Sequence, residues 1–68
     1  MNGEEERKSV QMIGHLLNNR RIERTPDEIR KKAHRTARNT NLSIANAYIL
    51  LESEAKREDL TGEDWDAL

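Results

Sequence analysis

The stretch from Thr25 to Leu51 constrains this chain most. Thr25-Pro26-Asp27-Glu28 places a capping Thr before a Pro at the first helical position, with Glu three residues after the cap. Thr and Glu side chains at this spacing satisfy each other's free backbone N–H groups, and Pro gives up only an N–H that has no helical acceptor. A helix therefore starts at residue 26 and runs to about residue 39. Asn41-Leu42-Ser43 then leads into an apolar run, Ile44 to Leu51, and Ser is a good N-cap. The pattern predicts helices over 26–39 and 43–58, joined by a tight corner at 37–43.

An earlier helix is expected over about 4–18. Glu4, Glu5 and Glu6 lie in its first turn, where negative charge suits the positive end of the helix dipole. Val10, Ile13 and Leu17 recur on one face, Leu16 widens it and Gly14 borders it. Asn18 to Arg24 reads as a linker with Ile22 as its apolar anchor. In the second helix, Ile29, Ala33, Thr36, Ala37 and Thr40 share a thin face. In the third, Ile44, Ala47, Tyr48, Leu51 and Ala55 form the main stripe, while Ile49 and Leu50 fall outside it. A helix apolar on several sides is normally buried on several sides. That places the third helix at the centre, with Ile49 and Leu50 facing a partner or the tail. The tail, 60–68, is acidic, with Leu60, Trp65 and Leu68 as docking groups and at most one short turn. The fold class expected is all-α, a three-helix domain over residues 1–68 with a short C-terminal tail.

Sixty-eight residues allow one domain, and a chain of this size buries only about 60% of the surface its unfolded form exposes. There is no Cys and no Phe, and Trp65 and Tyr48 are the only aromatics. No disulfide or thiolate site can staple the fold. The shortage of core material points to a homodimer, in which a second chain supplies buried surface. No run approaches the roughly 18 apolar residues of a membrane span, and Met1 opens no signal-peptide pattern. A cytoplasmic location without membrane contact is expected.

The net charge of −1 hides a segregation. Residues 18–38 carry eight basic side chains against three acidic ones, a balance of +5; residues 39–68 carry two against seven, a balance of −5. On the second helix, Lys31, His34, Arg35 and Arg38 follow i, i+3, i+4, i+7, with Arg30 and Lys32 beside them. Asp27 can pair with Lys31, and Glu28 with Lys32, at i, i+4. No acid follows Glu28 in this helix. A row of long cationic side chains is the geometry that phosphate contacts need. The bland reading of the same residues is a solvated helix face.

Ala37-x-x-x-Asn41-Leu42-Ser43 resembles the turn of helix-turn-helix DNA-binding domains, in which a small residue lets two helices cross and Ser or Thr caps the recognition helix. Over these roughly 20 residues the resemblance implies double-stranded DNA as ligand. Arg30, Lys31, Arg35 and Arg38 would then hold the backbone, with Ser43 and Asn46 near base edges. It departs from that pattern in the apolar start of the third helix, Ile44, Ala45 and Ile49. The corner also resembles ribbon-helix-helix repressors and antitoxins, which implies a DNA-reading strand at Arg20 to Arg24. That segment is basic but lacks the alternation of a paired strand. Both resemblances imply a symmetric dimer.

Neither His15 nor His34 has a second His or a carboxylate at i+3 or i+4 for a metal pair. There is no nucleophile elbow and no Gly-rich phosphate loop. No enzyme activity, metal or cofactor is expected. Two functions remain. One is a small DNA-binding regulator acting as a homodimer. The other is a non-enzymatic interaction module that meets a protein partner or its own copy through Ile49, Leu50 and Trp65.

Overall fold

Every helix of this chain starts on a side-chain oxygen. In the computed structural model, which describes residues 1–68, Asn2 accepts from the backbone N–H of Glu5 at 2.8 Å. Thr25, Ser43 and Thr61 accept in the same way from Glu28, Asn46 and Asp64, each at 3.1 Å. Each oxygen satisfies a donor that the first helical turn leaves unpaired. The elements are α1 (Gly3–Asn19), α2 (Pro26–Asn39), α3 (Ile44–Ala55) and a short α4 (Gly62–Ala67). The capping box at the start of α2 is complete, with Glu28 Oε1 accepting from the Thr25 N–H at 3.1 Å.

The first two helices end in the same way. The N–H of Ile22 reaches back to the Leu17 carbonyl at 2.9 Å, and that of Leu42 to the Ala37 carbonyl at 2.9 Å. Between each pair sits a residue in the left-handed region, Arg21 at φ 60° and Asn41 at φ 56°. These are Schellman closures, which turn the chain sharply and bring an apolar residue back toward the helix. Asn41 meets the sequence expectation. Arg21 has no such preference and holds the same conformation at a steric cost.

α1, α2 and α3 each pack against the other two. The core gathers Val10, Ile13, Leu17, Ile22, Ile29, Ala33, Tyr48, Leu51, Ala55, Leu60 and Trp65, all buried, with Leu16 and Ile44 partly so. The stripes read from the sequence thus supply the core. The tail does not cover Ile49 and Leu50, which are 63% and 39% exposed in the single chain. One boundary needs correction: the third helix ends at Ala55 and not near 58. The carbonyls of Lys56 and Arg57 are taken by the Arg20 guanidinium, and the chain then turns so that Leu60 enters the core.

The tail docks on its own chain. Trp65 is 1% exposed, which removes it from any surface that meets a partner. Two contacts around it hold α4. Arg24 grips Asp66 through two bonds, at 3.1 and 2.8 Å. The Lys32 ammonium lies 5.4 Å from the centre of the Trp65 ring, within cation–π range, and reaches the Leu68 carbonyl at 3.3 Å. No helix is long and apolar enough to cross a membrane.

Candidate nucleic-acid interface

The outer side of α2 carries the cations. The buried Ile29 and Ala33 point inward, so Lys31, Arg35 and Arg38, at i, i+4, i+7, face solvent in one row, and all three are exposed. From Lys31 to Arg38 the helix rises ~10 Å. Arg38 stands in the last turn, where a cation suits the negative end of the dipole.

The one acid ion-paired with this row, Asp27, lies at its N-terminal end. Asp27 meets the Lys31 ammonium at 3.1 Å and also pairs with Arg30. Lys31 first, and Arg30 after it, hold the Asp27 carboxyl below its ordinary pKa. Arg35 and Arg38 have no acidic partner within salt-bridge distance. One flank of the row borders an open groove of about 530 Å³, where Glu23, Glu28 and Asp66 line the same wall as Lys31 and Arg35. The positive surface is therefore a narrow strip along the helix.

Two side chains expected beside this row lie elsewhere. Lys32 is 4% exposed and does not pair with Glu28, whose carboxylate turns back to its own cap. Burial, with Arg35 close by, lowers the Lys32 pKa. Its position in the sequence holds the signal, because it sits three residues after Ile29 and next to Ala33, at the edge of the buried stripe. His34 swings toward α1, where its Nε2 lies 2.6 Å from Glu6 Oε2. The same carboxylate oxygen accepts from the Tyr48 hydroxyl at 2.8 Å. Glu6 thus ties three helices together. Those two bonds, Tyr48 before His34, hold its carboxyl below its ordinary pKa. Burial, then the bond to Glu6, raises that of Tyr48.

The corner places Ser43 and Asn46 at the start of α3, both exposed. The Ser43 hydroxyl oxygen is engaged as the cap of α3. Asn46 shares a face with Ile49, Leu50 and Ser53, and within α3 this face carries no cation. The cationic row and the candidate base-reading residues therefore belong to different helices. The strand implied by the ribbon-helix-helix likeness is absent. Arg20 and Arg21 form the turn that closes α1, and Ile22 is buried beneath it. No group of three His, Asp or Glu side chains converges to hold a metal ion. Comparison with protein-family models, with curated proteins and with solved structures found no match.

Proposed function

We propose that this protein is a small, non-catalytic nucleic-acid-binding protein that holds the phosphate backbone of double-stranded DNA with the outer face of α2. The observation that carries the reading is the exposed row of Lys31, Arg35 and Arg38, whose two arginines form no ion pair within the chain. Arg30 joins the row from its edge. Arginine suits phosphate because its planar fork offers paired donors and is never neutralised near neutral pH. A helix already held by a capping box and a packed inner face presents these groups without further ordering, which lowers the entropic cost of binding.

The contacts in this reading are to backbone and not to bases. Ser43 and Asn46 stand on a helix face whose centre is Ile49 and Leu50, which suits burial against protein better than entry into a groove. A regulatory role, with two chains acting together, is consistent with such a module, since one row of three cations alone binds weakly. The test is fluorescence anisotropy with a labelled random-sequence duplex at about 50 mM salt, where electrostatic contacts are least screened. The wild type binds, and Arg35→Gln/Arg38→Gln loses most of that binding. Failure of the wild type to bind under these conditions removes the proposal.

A further inference from the structure

Charged residues make up 37% of this chain, yet the outward stripe of α3 has none. Asn46, Ile49, Leu50 and Ser53 follow i, i+3, i+4, i+7, the spacing of a single helix face. All four are exposed, Ile49 at 63%. The side chains of Asn46 and Ser53 make no hydrogen bond within the chain; only the Asn46 backbone N–H is engaged, by Ser43. The order along the stripe is small polar, aliphatic, aliphatic, small polar. It therefore reads alike in both directions. An isologous contact requires this kind of self-complementarity, because the same patch must face itself.

We infer that α3 is the contact surface for a second copy of this chain, packed antiparallel about a two-fold axis between Ile49 and Leu50. In that pairing Ile49 faces the partner's Leu50, and Asn46 faces the partner's Ser53. An amide and a hydroxyl placed opposite each other can exchange a hydrogen bond. Leu50 also rims a small crevice of about 120 Å³ together with Thr36, Thr40 and Leu68. This crevice extends the apolar area that the partner's Ile49 covers.

The charges select this arrangement. A parallel pair would set Glu52 and Glu54 beside their own copies. The antiparallel pair moves the two Glu54 side chains nine residues apart, roughly 13 Å along the axis and beyond the Debye length of about 8 Å in physiological salt, and the two Glu52 side chains five residues apart, roughly 7.5 Å. Arg57, at the end of the stripe, is already matched by Glu54 at 3.0 Å and Asp59 at 3.1 Å, so it brings no unpaired charge into the contact. Twelve helical residues, ~18 Å long and ~10 Å across, offer roughly 200 Å². That falls short of the about 800 Å² per partner of a standard interface, so the dimer is weak and depends on concentration.

The chain contains no cysteine, so introduced thiols report without interference. Asn46→Cys and Ser53→Cys are each exposed substitutions, and circular dichroism checks that both variants fold. Each reduced variant is oxidised alone and, in parallel, in an equimolar mixture with the other reduced variant. Facing positions come within disulfide reach, so the mixture cross-links 46 to 53 several-fold faster than either variant links to itself. Light scattering on the unmodified chain reads a mass rising from 7.9 kDa toward twice that value between about 10 μM and about 1 mM, and Leu50→Lys abolishes the rise. A mass that stays at 7.9 kDa, a preference for 46-to-46 links, or equal rates in every combination overturns the inference. None of those outcomes bears on DNA binding by α2.

Discussion

Removing the charge of Glu6 should loosen all three helices at once. Its Oε2 accepts from Tyr48 on α3 at 2.8 Å and stands 2.6 Å from His34 on α2. With Glu6 ionised it can only accept, so His34 Nε2 is the donor. Glu6→Gln keeps the shape and turns a charge-assisted bond, about 1.5–3 kcal/mol, into a neutral one of about 0.5–1.5 kcal/mol. The His34 side chain is 52% exposed, so its share is screened and small. The part-buried Tyr48 bond dominates, and the expected cost is about 1–2 kcal/mol. A chain of this length has only about 3–10 kcal/mol in total. With a urea slope of about 1 kcal/mol per molar, the midpoint falls by about 1–2 M. The cycle with Tyr48→Phe should show a coupling of about 1 kcal/mol. The pH dependence has a definite sign. Glu6 is held below its ordinary pKa of 4.5, so the unfolded chain takes up the proton more readily. The stabilisation is complete above 4.5 and is lost as pH falls through the lower folded value, where wild type and Glu6→Gln converge. Additive single variants at pH 7, or a Glu6→Gln midpoint equal to wild type, would refute the reasoning.

Two substitutions should raise stability. A methyl group built on Gly14 meets Ile29 Cδ1 at 3.7 Å, an ordinary contact, so Gly14→Ala fits and gains up to about 1 kcal/mol of helix propensity. Arg21 holds a left-handed conformation that glycine adopts freely, and Arg21→Gly is expected to gain about 0.5–1 kcal/mol. Each gain appears in thermal melts as a rise of roughly 4 °C or more per kcal/mol; a fall in either midpoint contradicts the local geometry described. Arg21→Gly should leave DNA binding by α2 unchanged.

The helices and their packing were legible because they rest on short-range signals. The capping box at Thr25, the Ser43 cap, the i, i+3, i+7 stripe of α1 and the left-handed Asn41 each act within a few residues. Trp65 and Leu60 were legible as anchors because large apolar groups in an acidic tail have few other uses. The polar ties were not legible. Glu6 meets residues 28 and 42 positions away, Arg20 caps a helix end 37 positions on, and Arg24 reaches Asp66 across 42. Such pairs leave no period in the sequence. By sequence Lys32 fits a solvated row, because charge usually stays in water. Its place at the edge of the buried stripe, with Trp65 to cover it, decides otherwise. Of the candidate interface, the row Lys31, Arg35 and Arg38 was legible from helical spacing alone, since it needs only that Ile29 and Ala33 face inward.

The salt dependence of duplex DNA affinity tests the central claim most directly. Three phosphate contacts per chain, from Lys31, Arg35 and Arg38, predict a log–log slope of about −2.7 per chain, or a loss of about 40-fold between 50 and 200 mM salt. Arg35→Gln/Arg38→Gln should flatten the slope by about 1.8 per chain. A slope that the double variant leaves unchanged would contradict the assignment of α2 as the DNA-binding face.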